Sequence, residues 1–191
     1  CQQVGATLRV IPIFDDGSLD IDAYQKMLNG KTRLVAINHV SNVLGTVNPV
    51  KDMINMAHDQ HVPVLVDGAQ AVAHIEVDVV DLDCDFYVFS SHKVYGPTGV
   101  GVLYGKSEWL EMMPPYQLGG DMIKTVSFDK TEFNILPHKF EAGTPNIAGV
   151  IGLGDAIHFL QQFNPDELIQ AETALLRYAS DALMCIDGLK I

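Results

Sequence analysis

TRLVAINHV, residues 32–40, is apolar almost without interruption and does not alternate, the pattern of a strand buried on both faces. Working outward, VPVLVDGAQ (residues 62–70) repeats the design, DFYVFSSHK (residues 85–93) repeats it with a longer polar ending, and VGVLYG (residues 100–105) supplies a fourth run. Between the first two lie a polar loop, SNVLGTVNP, and a helical pattern over residues 50–61 with Pro49 at its start. Strands separated by helical patterns predict an α/β fold: a mostly parallel, doubly wound sheet with helices on its flanks.

Upstream, LRVIPIF (residues 8–14) reads as another strand, followed by the turn DDGS and a helical pattern that stops at Asn29 and Gly30. Downstream, periodicity is lost over residues 111–140, where Pro114, Pro115, Gly119, Gly120 and Pro137 punctuate the chain. Such stretches inside compact domains are usually functional or mobile. Two helical patterns follow, residues 147–163 and 166–186. The first carries Gly149, Gly152 and Gly154, whose cost in helix propensity predicts close packing against another element. The chain opens on Cys1 and closes on GLKI, which reads as a strand beginning, so a piece of something longer is expected.

The 191 residues carry 12 Lys and Arg against 24 Asp and Glu, a net charge of −12, with 48% hydrophobic residues. That is enough apolar mass for a core, and the acidic balance argues against nucleic acid or an anionic membrane as partner. No apolar run approaches the roughly 20 residues that span a bilayer, and the first residues, CQQVGATLRV, lack the charged-then-apolar pattern expected of a signal peptide. Cys1, Cys84 and Cys185 are too widely spaced for a disulfide framework or a zinc pair, which favours a reducing, cytoplasmic setting.

In an open α/β sheet ligands bind beyond the carboxyl ends of the strands. Here those ends offer His39 and Asn42, then Asp67 and Gln70, then Ser90, His92 and Lys93. Each alone has an ordinary reading: Asp67 before Gly68 as a turn residue, His39 and His92 as hydrogen-bonded loop histidines, Lys93 as a surface lysine. Together they suit pyridoxal 5'-phosphate. An amine kept partly desolvated by Tyr87, Phe89 and Tyr95 could attack an aldehyde, and an acid on the next strand could keep a pyridine nitrogen protonated. Ser90 and His92 could bond a phosphate, and Asn42 or Gln70 a phenolic oxygen.

Competing motifs are weak. GPTGVG (residues 96–101) matches neither nucleotide-loop pattern, no G-x-S-x-G elbow exists, and His58 with His61 lacks an evident third metal ligand and reads as a solvated helix face.

The strings HVSNVLGT, VLVDGAQA, LDCDFYVFSSHKVYGPTGVGVLYG and FEAGTPN resemble the class V aminotransferase superfamily of fold type I, and within it the SUF-type cysteine desulfurases and selenocysteine lyases. The resemblance runs along essentially the whole chain. It implies the large domain of a fold type I pyridoxal-phosphate transferase over residues 1–186, with residues 187–191 starting a small domain. Lys93 matches the lysine that holds the cofactor covalently and moves protons, Asp67 the acid paired with the pyridine nitrogen, and Gln70 the group on the phenolic oxygen. Asn42 matches an amide near the cofactor and the substrate carboxylate, Ser90 and His92 match phosphate ligands, and Thr144 matches a residue reaching the neighbouring subunit's phosphate. A homodimer follows from that last role.

The implied reaction takes L-cysteine, or L-selenocysteine, to alanine, passing sulfur as an enzyme persulfide to an acceptor protein for iron–sulfur cluster assembly, with no metal involved. By domain arithmetic family members are about twice as long, and the family's ring-stacking histidine, substrate-binding arginine and persulfide cysteine have no match here. Cys84 and Cys185 are therefore expected to be buried or structural. Position 91 is Ser where glycine is common, and Gly119 to Asp121 replaces a more glycine-rich string, neither touching an expected role. Another class V aminotransferase, or a non-catalytic fragment that binds cofactor and dimerises, stands as the alternative.

Overall fold

In the computed structural model, which describes residues 1–189, four strands form one sheet in the order β1 (Val35–Asn38), β2 (Val64–Asp67), β3 (Phe86–Ser90) and β4 (Gly101–Gly105). The first three are parallel and in step, Asn38 beside Asp67 and Asp67 beside Val88, whereas β4 runs antiparallel with Ser90 against Gly101. A parallel return needs a dozen or more residues of crossover, and the short link from Ser90 to Gly101 permits only a hairpin.

Helix α1 (Ile21–Met27) starts at Asp20, whose side chain accepts from the Ala23 amide. Helix α2 (Val50–His58) crosses from β1 to β2 and buries Val50, Met53, Ile54 and Ala57. They meet Tyr24, Val35, Ile37, Val64, Val66 and Cys84 in the main core, and the Tyr24 hydroxyl donates to the Met53 carbonyl at 2.8 Å. The crossover from β2 to β3 contains only one short helix, α3 (Val79–Leu82), capped by Asp78.

Burial on both faces is not what β1 shows. Val35 and Ile37 are buried but Ala36 is exposed, because α1 and α2 cover one face while the described residues leave the other open at that strand. Residues 8–14 are no strand either: Ile13 makes a lone bridge to Leu19, and Leu8 and Val10 are about three-quarters exposed. Pro12 removes a donor there, and a β-branched run without a neighbouring strand has no ladder to join.

After α4 (Ser107–Met112) the irregular stretch contains structure that periodicity did not reveal, a hairpin of β5 (Ile123–Val126) and β6 (Thr131–Phe133) and a 3-10 turn at His138–Phe140. Helices α5 (Ile147–Leu160) and α6 (Pro165–Met184) follow within a few residues of expectation. The glycine reading of α5 holds at two positions. A Cβ on Gly149 would lie 2.7 Å from Val100 and one on Gly152 2.7 Å from Pro97, so α5 lies directly against the turn after β3, while Gly154 faces open space. Of the strand expected over residues 188–191, Lys190 and Ile191 lie outside the described residues, and Gly188 has a left-handed φ of 82°.

Candidate functional site

Because β1, β2 and β3 are parallel and in register, their carboxyl ends deliver polar residues to one edge of the sheet. His39 follows β1 and its amide donates to the Asp67 carbonyl at 2.8 Å, and the Gly68 amide donates to the Val88 carbonyl at 2.8 Å. Asp67 ends β2 and Ser90 ends β3, and the 3-10 turn Ser91–Val94 then carries His92 and Lys93. Asn42 and Gln70 lie in the loops that leave β1 and β2 from the same edge. The Asn146 amide group lies 3.5 Å from where a Cβ on Gly99 would sit, which brings the loop containing Thr144 beside the turn after Lys93. Asp67, Ser90, His92, Lys93, Asn42 and Gln70 thus border one edge, and Thr144 lies two residues before Asn146.

Asp67, Asn42, His92, Lys93 and Thr144 are exposed, and Gln70 and Ser90 are half-buried. Asp67 Oδ1 accepts from the Ala69 amide at 2.9 Å, which fixes the carboxylate and leaves Oδ2 for a ligand. The desolvation expected at Lys93 is not found. Lys93 is exposed, Tyr95 takes a left-handed φ of 63°, stands 66% exposed and packs edge-on to Phe159, and Tyr87 is buried against His39.

The floor of the site was not foreseen. Tyr87 is buried, its hydroxyl 3.1 Å from His39 Nδ1, and burial pushes the His39 pKa down and the Tyr87 pKa up. A Cβ on Gly68 would stand 2.0 Å from the Tyr87 ring, so the residue after Asp67 has to be glycine. The adjacent Asp and Gly, with an aromatic on the next strand, were the only sequence signal.

Ser91 matters more than its place beside the site suggested. It is fully buried, and its Oγ has no hydrogen-bond partner among the described residues, closed in where Gly96 packs against it. An unpaired buried hydroxyl costs about 1–3 kcal/mol. Ser91→Ala is therefore expected to raise stability by about 1 kcal/mol, read from the urea midpoint; a loss of stability would show that the hydroxyl has a partner.

At the opposite edge, the buried carboxylate of Asp85 accepts from the Val64 amide (2.7 Å) and the Trp109 indole (2.7 Å) and lies 2.8 Å from His58 Nε2. Asp83 and Lys106 extend the cluster. His58 is accordingly no member of a solvated face; it is pulled inward by Asp85, while His61 is exposed with a φ of 55°. Cys84, beside this network, is buried, and burial pushes its thiol up to about 11. Cys185 departs from expectation: it is exposed at the end of α6.

The donor set suits pyridoxal 5'-phosphate. It holds an exposed amine, a carboxylate with one oxygen uncommitted, and hydroxyl, imidazole and amide groups around them on one edge.

The family model described as aminotransferase class-V matches residues 1–191. A cysteine desulfurase of Klebsiella pneumoniae (strain 342) is 53% identical over 190 residues, covering 99% of this chain and 47% of that protein. Among solved structures, the cysteine desulfurase CsdA of Escherichia coli, in its S-sulfonic acid form, superposes with a TM-score of 0.92 at 44% identity, over 98% of this chain and 47% of that one. The apo cysteine desulfurase of Thermococcus onnurineus NA1 gives 0.90 at 37% identity, over 95% and 46%. The chain spans about half the length of the relatives it matches.

Proposed function

The chain belongs to the aminotransferase class-V family, whose members depend on pyridoxal 5'-phosphate, and on that footing we propose that it is the cofactor-binding part of a cysteine desulfurase. Carrying the reading is the delivery of Asp67, Ser90, His92 and Lys93 to one sheet edge by strands held in register. When bound, the cofactor supplies an aldehyde for an amine to join and a cationic ring that draws electrons from the bond being broken. Lys93 Nζ is the amine and later the base that holds the substrate's proton. Asp67 Oδ2 accepts from the ring nitrogen, and the Ala69 amide keeps its carboxylate in place. Ser90, His92 and Thr144 would donate to the phosphate, the last across a homodimer interface, Gln70 would donate to the phenolic oxygen, and Asn42 would stand near the cofactor and the substrate carboxylate.

In this reading the whole protein converts L-cysteine, or L-selenocysteine, to L-alanine and passes sulfur as a persulfide to an acceptor for iron–sulfur cluster assembly of the SUF type, in the cytoplasm. Identity of 53% to a cysteine desulfurase supports the substrate class. A second reading applies to residues 1–191 by themselves: they hold cofactor without sulfur transfer. It is favoured by the burial of Cys84, whose thiol is inert and lies just before β3, at the sheet edge remote from Lys93.

The chain mixed with pyridoxal 5'-phosphate is expected to gain a visible absorption band, and borohydride followed by peptide mapping is expected to place the cofactor on Lys93. Label spread over other lysines, or none, would refute the site. Alanine released from L-cysteine at an enzymatic rate by residues 1–191 would refute the second reading.

A further inference from the structure

We infer that Lys139 is a positioning residue that holds the loop carrying Thr144, an inference that rests on reading Thr144 as a phosphate ligand. Lys139 is only 8% exposed, unusual for a side chain that normally keeps its terminus in water. Its Nζ donates to the Leu110 and Glu111 carbonyls, both at 2.9 Å. These belong to the last turn of α4, where carbonyls lack helical partners and the helix presents its negative end. Nζ also lies 5.3 Å from the centre of the Phe140 ring.

The backbone bonds of the turn itself are local: the Lys139 amide donates to Ile135, Phe140 to Pro137 and Glu141 to His138. They shape the turn without fixing it to the rest of the molecule. Nζ reaches back 28 and 29 residues to do that. Between Lys139 and Thr144 the Gly143 amide donates to the Gly120 carbonyl at 2.9 Å with a φ of 81°, and beyond Thr144 Asn146 starts α5 by accepting from the Gly149 amide. Residues 141–145 are thus held from both sides, upstream by Lys139 Nζ together with the Gly143 amide and downstream by the start of α5.

The test compares wild type with Lys139→Met, which keeps the apolar stem but removes the donors, and Lys139→Arg, which keeps donors. In the absence of cofactor, amide hydrogen exchange of the peptide spanning residues 141–146 is expected to quicken about tenfold in Lys139→Met and to return to the wild-type rate in Lys139→Arg. Unchanged exchange in Lys139→Met overturns the inference whatever the cofactor does. Titration with pyridoxal 5'-phosphate is expected to show about tenfold weaker binding in Lys139→Met, rescued by Lys139→Arg, while pyridoxal, which lacks the phosphate, binds all three within about twofold.

Equal weakening toward both ligands would mean a general structural role and overturn positioning. If wild type binds but Thr144→Val binds equally well, the reading of Thr144 falls and takes this inference with it, although the exchange result would still mark the anchor. Should Lys139→Met not fold, Lys139→Gln, whose shorter and uncharged amide keeps only a weaker donor group, is read in its place with the same expected order.

Discussion

Asp85→Ala is expected to lower unfolding free energy by about 3–5 kcal/mol, a large part of the roughly 5–15 kcal/mol typical of a domain. The carboxylate is 5% exposed and collects the Val64 amide, the Trp109 indole and His58. Removing it orphans the Val64 amide and the Trp109 indole and leaves His58 only its longer contact with Asp83, so the desolvation of the first two is uncompensated. Asp85→Asn, which keeps one acceptor oxygen, is expected to cost less. Burial by itself would push the Asp85 pKa up, but hydrogen bonds from His58, Val64 and Trp109 outweigh it and hold the carboxyl below its ordinary value. Its contribution is therefore complete above the unfolded value of about 4 and is lost as pH falls through the lower folded value. Trp109 is the chain's single tryptophan, so its emission reports unfolding at the network itself. A urea midpoint for Asp85→Ala equal to wild type would show that the network contributes nothing.

Gly68→Ala is expected to cost about 3 kcal/mol and to weaken cofactor binding together with stability. The added methyl would lie 2.0 Å from Tyr87 Cε1 and 2.2 Å from its hydroxyl, and the ring cannot retreat without leaving His39 and the core. Since Gly68 adjoins Asp67, any backbone shift that relieves the overlap also turns the carboxylate. The discriminating measurement is a double-mutant cycle with Tyr87→Leu. Relief of the overlap should make Gly68→Ala cost at least about 1 kcal/mol less in that background, whereas additive costs would mean that the methyl collides with nothing that matters.

Strands β1 to β4 and helices α2, α5 and α6 were legible because long apolar runs and 3.6-residue periodicity leave few alternatives. Direction was less so: periodicity does not distinguish parallel from antiparallel, and only the short link before Gly101 betrays β4. The run at residues 8–14 misled because β propensity has meaning only beside a partner strand. The placement of the candidate site residues was legible where they sit on strand ends, since topology carries them to one edge. Surroundings were not. That Tyr95 turns outward, that Tyr87 fills the space under Gly68, and that Lys139 reaches α4 are decided by φ angles and by contacts between distant segments, which no local pattern encodes. Asp85 opens the run of residues 85–93 with no local sign of its role, because its three donors come from separate stretches.

The antiparallel return of β4 also sets an order of assembly. The arm of the site that carries Lys93 is closed by a hairpin, Ser90 against Gly101, and hairpins form on the order of microseconds from their own stretch of chain. Asp67 meets Val88 only after the whole crossover between β2 and β3 has been organised, a longer loop with a larger entropic search. During folding, and on a ribosome that releases the chain from its amino end, the acid is made first but placed last, so the pair that would grip the cofactor becomes complete only when the parallel strands dock.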